Sequence, residues 1–130
     1  CIAIENDDKV FKVNDVLIIS KVTSIPVVLD YHHHLCNKSD FSFADIFNSW
    51  GNRRVKMHFS SPKNKIYYRS NNEYINGDVF INFIEILKKY DRDIDIMLEA
   101  KGKDDSLFRL VRYIKYKTDY EFIDDTTFLV

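Results

Sequence analysis

Ile25-Pro26-Val27-Val28-Leu29-Asp30-Tyr31-His32-His33-His34 joins two kinds of sequence. Ile25 to Leu29 is a short apolar run with the β-branched content of a strand buried on both faces. Chemistry begins where that run stops. One carboxylate and three imidazoles follow, and this mixture of hard oxygen and borderline nitrogen donors suits a divalent transition metal. A tag remnant also gives consecutive histidines, but tags sit at termini. A solvated turn stays open as the bland alternative.

Outward from this stretch the plan repeats. Upstream, Cys1 to Glu5 reads as a buried strand and Asn6-Asp7-Asp8 as an acidic turn. Asn14 reads as the N-cap of a short helix carrying Val16, Leu17, Ile18 and Ile19. Downstream, Phe43, Ile46, Phe47 and Trp50 fall at helical spacing behind a Ser42 cap, and Gly51 closes that helix. Arg54 to Phe59 forms a third strand. A polar loop from Ser60 to Gly77 follows, then a helix opened by Asp78 with Val79, Phe80, Phe83, Ile84 and Leu87 facing inward. Ile94, Ile96 and Leu98 mark a fourth strand ending at Glu99, and Leu107, Leu110, Val111 and Ile114 mark the next helix. Residues 120–130 are apolar in patches and give no assignable element.

Four strand-helix units in series predict an α/β fold with a parallel sheet, because parallel neighbours need crossovers of this kind. Glu5, Asp30 and Glu99 each close a strand, and Lys56 and His58, two residues apart, share one face of the third. Ligand-type groups at several strand C-termini are the pattern of a TIM-type (β/α)8 barrel. A doubly wound sheet more often carries a glycine-rich phosphate turn, and the 3 glycines fall in no such pattern. A whole barrel takes ~250 residues. The expectation is therefore part of a barrel, four consecutive βα units. A chain that opens on a core strand, with no methionine or polar leader, also reads as cut from something longer.

Composition narrows the function. At 130 residues, 45% hydrophobic and 30% charged, the chain suits one globular domain. Lys plus Arg is 19 against Asp plus Glu 20, so no global basic field advertises nucleic acid, and DNA contact has to be local. No apolar run approaches the ~18 residues of a membrane span. Cys1 and Cys36 show no metal-ligand spacing, and without a secretory leader they suggest a reducing cytoplasmic setting.

Glu5 ends an apolar strand, where an unpaired carboxylate would carry a desolvation cost of about several kcal/mol. It calls for a metal or a buried basic partner, and Asp30 calls for the same. His33 lies three residues after Asp30, so a turn can direct both to one centre. His32 and His34 read as supporting donors or as solvent-facing. Lys56 reads either as an ammonium paired with Glu5, Asp30 or Glu99, or as an amine that takes up carbon dioxide and becomes an oxygen ligand. Lys101 and Lys103, just past Glu99, read equally as a solvated basic turn or as phosphate contacts.

Four blocks in order, Ile4-Glu5-Asn6-Asp7-Asp8, Asp30-Tyr31-His32-His33-His34, Val55-Lys56-Met57-His58-Phe59-Ser60-Ser61-Pro62 and Asp95 to Lys103, resemble the UV damage endonuclease family. The resemblance covers roughly residues 1 to 112. It implies that residues 1–130 are the C-terminal half of a barrel similar in fold to endonuclease IV and the xylose isomerases, with the N-terminal half absent. It further implies a cluster of divalent ions, manganese in most members, that cuts UV-damaged double-stranded DNA on the 5′ side of the lesion. Glu5, Asp30, His33, His58 and Glu99 then become ligands, and Lys56 the lysine that members carry carboxylated, with Lys56, Glu5 and Glu99 closest to the chemistry. Ser60, Ser61 and Arg69, with Lys63, Lys65, Tyr67 and Tyr68, become candidates for holding phosphates or stacking on bases, although a solvated loop has similar composition. The family's further metal histidines lie in its N-terminal half. Asn71-Asn72-Glu73 stands where members often carry one more, ahead of Tyr74-Ile75. Two other readings stay open: a sugar-isomerase-like metal barrel, and an inactive half-barrel that pairs with a second copy.

Overall fold

A computed structural model describes residues 2–130. Four parallel strands lie in chain order: β1 (Ile4–Glu5), β2 (Val27–Asp30), β3 (Val55–Phe59) and β4 (Ile94–Leu98). Five helices connect or follow them: α1 (Val13–Thr23), α2 (Tyr31–Cys36), α3 (Phe43–Ser49), α4 (Gly77–Lys88) and α5 (Lys103–Lys117). A two-stranded antiparallel hairpin, β5 (Glu121–Phe122) and β6 (Phe128–Leu129), occupies the stretch that sequence left unassigned.

The sheet is apolar on one face. Val55, Met57 and Phe59 are buried while Lys56 and His58 alternate with them, as a strand's twofold period requires. The pairing Leu29↔Met57, Met57↔Ile96 and Phe59↔Leu98 aligns the apolar positions across strands. Val13, Val16 and Leu17 of α1, Ile46 and Phe47 of α3 with Trp50 just after it, and Phe80, Phe83, Ile84 and Leu87 of α4 complete the core with Leu110 and Ile114 of α5. Fully burying each large side chain contributes about 1.5–3 kcal/mol. The opposite face carries Lys56, His58, Asp95 and Met97, and Met97 stays 60% exposed. The expectation that β2 is buried on both faces therefore fails at Val28, which is half-buried.

Side chains close gaps that the short strands leave. The β2 strand starts at Val27 because Pro26 has no N–H to donate. The Val27 N–H donates instead to Ser49 Oγ (3.0 Å), and Trp50 Nε1 donates to the Val27 carbonyl (2.7 Å). Several local expectations shift. The β1 strand spans Ile4–Glu5, with Ile2 77% exposed and Cys1 outside the described residues. The α1 cap is Lys12 rather than Asn14, because Asp15 reaches back to the Lys12 N–H (2.8 Å). Asn76 caps α4, accepting from the Val79 N–H, so Asp78 sits in the first turn and Val79 is partly exposed. Ser42 caps α3 as expected, accepting from Ala44, and Gly51 stops it at φ +57°. No helix among the described residues is long and apolar enough to cross a membrane.

Candidate metal centre

The histidine run is a helix rather than a turn. Asp30 is its N-cap, and Asp30 Oδ1 accepts the His33 N–H at 2.8 Å. One carboxylate oxygen thereby satisfies an open helix donor, which fixes its partner oxygen, Oδ2. Asn6 holds this arrangement from β1. Its Oδ1 accepts the Asp30 N–H (2.9 Å) and its Nδ2 donates to the Asp30 carbonyl (3.0 Å), so an amide side chain extends the sheet pairing where β1 has ended. Asn6 is 1% exposed and Asp30 0%.

Five donors from four strand ends converge here. His58 Nδ1 lies 3.1 Å from Glu5 Oε1 and 3.3 Å from Glu99 Oε1. His33 Nδ1 lies 3.5 Å from Asp30 Oδ2 and 3.7 Å from Glu5 Oε1, and donates to the Asn6 carbonyl at 3.0 Å. Glu5, Asp30 and His33 form one triad with ligand atoms within 4.8 Å of one another, and Asp30, His58 and Glu99 form a second. Asp30 belongs to both. Glu99 is set by its N–H, which donates to the Phe59 carbonyl at 2.9 Å.

Electrostatics supply a test of what fits. Burial pushes the Asp30 carboxyl up, and the nearby Glu5 and Glu99 charges push the same way. Burial also raises Glu5, but the hydrogen bond and charge of His58 outweigh it and leave Glu5 below the usual carboxylate range. His58 is held up by its bond to Glu5. For His33, burial is outweighed by the Asn6 carbonyl and by Asp30 and Glu5, and the imidazole also rises. Three acids meeting at one point thus draw protons onto the imidazoles. Asp30 Oδ2 is buried with no hydrogen-bond partner, a state that costs about 1–3 kcal/mol or more for a charged group. A divalent cation answers all of these at once: it gives the buried oxygen a partner, neutralises the acids and takes the place of the extra proton on each imidazole.

Other expected residues fall elsewhere. Lys56 pairs with Asp95 and with none of the three acids anticipated, because the register sets Lys56 opposite Asp95 on one face. That contact, with Arg54 3.3 Å away on the same carboxylate, holds Asp95 below its ordinary range. Ser60 and Ser61, expected among the phosphate contacts, are buried and spend their hydroxyls on bonds within the chain. Ser60 Oγ bonds His32 Nδ1 (2.8 Å), and Ser61 Oγ accepts the Asn76 N–H (2.9 Å). Arg69, Lys101 and Lys103 are exposed, and Arg69 Nε donates to the Asp8 carbonyl (3.1 Å).

His32 is 1% exposed and spends both ring nitrogens: Nε2 donates to the Tyr68 carbonyl (2.7 Å), so Nδ1 accepts from Ser60. His34 packs edge-on against Phe41, and burial holds its imidazole below the ordinary value. The reading from sequence missed Asn6. Its one signal was a short amide directly after a strand-ending acid, in a turn that needs donors and acceptors.

The chain is similar to known proteins along nearly its whole length. It matches the family described as UV-endonuclease UvdE over residues 1–127. It is 37% identical over 114 residues to a UV DNA damage endonuclease of Bacillus cereus, covering 83% of this chain and 36% of that protein. A Bacillus mycoides protein of the same name is 35% identical, with the same coverage of both chains. The crystal structure of SacUVDE superposes with a TM-score of 0.74 at 32% identity, over 88% of this chain and 39% of that one. The chain thus spans little more than a third of the length of these relatives.

Proposed function

Because the chain belongs to the UV-endonuclease UvdE family, we propose that it forms the C-terminal half of a (β/α)8-barrel endonuclease that hydrolyses a DNA phosphodiester 5′ to UV lesions. The observation that supports this reading is Asp30, a buried carboxylate shared by two ligand triads, whose second oxygen takes part in no hydrogen bond. Glu5, Asp30, His33, His58 and Glu99 hold a cluster of divalent ions, manganese by resemblance. Ions bound there supply Lewis acidity toward the phosphate and the leaving oxygen. The protein's own groups do the rest. Asn6 and the α2 cap lock Asp30 so that the shared carboxylate needs no reorganisation, and the Asn6 carbonyl orients the His33 ring. Lys56 joins the cluster when its neutral amine bonds to carbon dioxide, loses a proton and leaves Asp95 as a carbamate.

The segment that pairs with this half supplies the remaining histidines and the lesion-facing surface. UV-damaged duplex DNA is the substrate, since distorted pairs cost least to open. The test is a chimera in which residues 1–127 replace the matching segment of the Bacillus cereus relative. In manganese the chimera nicks ultraviolet-irradiated plasmid, and the 130-residue chain alone does not. Glu99→Gln in the chimera lowers incision by more than the roughly 10–100-fold that changes outside the ligand set cost, with the fold intact by circular dichroism. A folded chimera without lesion-dependent nicking, or near-normal turnover in Glu99→Gln, overturns the assignment.

A further inference from the structure

Each seam of the strand-end rim is fastened just past the point where strand pairing stops. Between β1 and β2 the Asn6 amide holds Asp30. Between β3 and β4 the Glu99 N–H holds the Phe59 carbonyl. The β2–β3 pairing ends at Asp30↔His58, because the chain turns into α2 at Tyr31 while β3 runs on to Phe59. Two side chains fasten this middle seam: Ser60 Oγ donates to His32 Nδ1 at 2.8 Å, across 28 residues of sequence.

The middle seam runs between the two ligand triads. Glu5 and His33 stand on one side of it, His58 and Glu99 on the other, and Asp30 is common to both triads. His58 Nδ1 on Glu5 Oε1 also spans the gap, but these are ligand atoms, and an incoming ion takes them for itself. A bond that keeps the spacing through ion uptake has to stand outside the ligand set. His32 meets that condition. It is 1% exposed and Ser60 6%, so water does not compete for their bond. Its Nε2 is spent on the Tyr68 carbonyl at 2.7 Å, which fixes the ring and leaves Nδ1 as the acceptor. His32 also adjoins His33 in the short α2 helix, so a ring held at both nitrogens steadies the ligand beside it. An apolar ring would fill this space with no polar atoms to desolvate. The imidazole supplies direction rather than bulk.

We propose that His32 is a positioning residue that sets the spacing of the two ligand triads through its Nδ1 bond to Ser60, and thereby governs uptake of a second divalent ion at the rim. This rests on the metal reading above and adds to it a fastening that lies outside the ligands.

The test titrates manganese into the 130-residue chain and reads free ion, and spin coupling between bound ions, by electron paramagnetic resonance. The parent chain takes up two ions that couple. Ser60→Ala removes the donor, and His32→Gln keeps a donor for the Tyr68 carbonyl but offers nothing at the Nδ1 position. Both weaken the second ion by roughly 10–100-fold and abolish the coupling, while the first ion binds as in the parent. His32→Asn places an acceptor oxygen at the Nδ1 position and retains the second ion and the coupling. Circular dichroism checks the fold of each variant, and where a His32 variant does not fold, Ser60→Ala, which removes a single oxygen, decides alone. Parent-like binding of the second ion in Ser60→Ala overturns the proposal. So does equal weakening of both ions, which marks general loosening of the fold, or a loss in His32→Asn as large as that in His32→Gln. The earlier readings fail by separate signals: a parent chain that takes up no manganese removes the metal centre itself, and two coupled ions with an inert chimera remove the nuclease alone.

Discussion

At the scale of single residues, Asp30 is more useful to the metal than to the fold. A fully buried carboxylate, raised by desolvation and facing Glu5 and Glu99, opposes folding in its ionised form. Asp30→Asn keeps the acceptor for the His33 N–H and removes the charge. The metal-free variant therefore melts at a higher temperature than the parent chain, and it loses the roughly 3–4 kcal/mol that manganese at 100–1,000 times its dissociation constant contributes to a binding-competent fold. Melting curves with chelator and with manganese give both numbers, and a variant that is less stable without metal overturns the account. Asn6→Ala acts in the opposite sense. It leaves the Asp30 N–H and carbonyl buried and unpaired, which costs about 2–4 kcal/mol in urea denaturation. Sequence showed the acids and imidazoles because each ends or follows an apolar strand. It hid Asn6, whose partner lies 24 residues away, and it hid the Lys56–Asp95 pair, which exists only once a register is chosen.

At the scale of elements, legibility followed period and length. The α3, α4 and α5 helices carry apolar residues at helical spacing and were readable in outline, and β3 and β4 alternate. The α2 helix was not, because six residues make less than two turns and its stability comes from the Asp30 cap and from Tyr31 stacked on Phe83. The β5–β6 hairpin was hidden for a related reason, since each strand has 2 residues. It is held by Tyr120 stacked on Phe128 and by Asp124, whose carboxylate accepts the Thr126 and Thr127 N–H groups. Those bonds put Asp124 below its ordinary range. A depressed acid stabilises above its unfolded value, about 3.9, and that contribution is lost as pH falls through the lower folded value. The hairpin therefore loosens on acidification below about pH 4. Exchange of the Thr126 and Thr127 amides reads this out: they speed up relative to the α4 core over that window. In Asp124→Ala they are fast at every pH, and equal protection in both proteins removes Asp124 as the clamp.

At the scale of the whole molecule, the sheet buries one face under the helices that share its core, while Lys56, Asp95 and Met97 on the other face are exposed and, among the described residues, β1 and β4 each pair along one edge. Surface area registers this. The chain exposes 8136 Å², against about 7,200 Å² for a compact monomer of its mass. The difference is close to the roughly 800 Å² that one partner contributes to a standard interface. Large apolar groups also lie exposed on the helices: Ile18 and Val22 on α1, and Phe108 and Tyr116 on α5. Unpaired edges and uncovered apolar groups drive association. On the barrel reading, the covering body is the segment that the longer relatives carry and this match does not reach. Without it the 130-residue chain associates with itself, its sedimentation coefficient rising across roughly 1–100 µM. Adding the N-terminal segment of the Bacillus cereus relative replaces that self-association with a one-to-one complex and increases manganese binding. Both effects follow from covering the same face. A chain that sediments as a 15.5 kDa monomer throughout the range and ignores the added segment rules out the half-barrel arrangement while leaving the five-donor cluster standing.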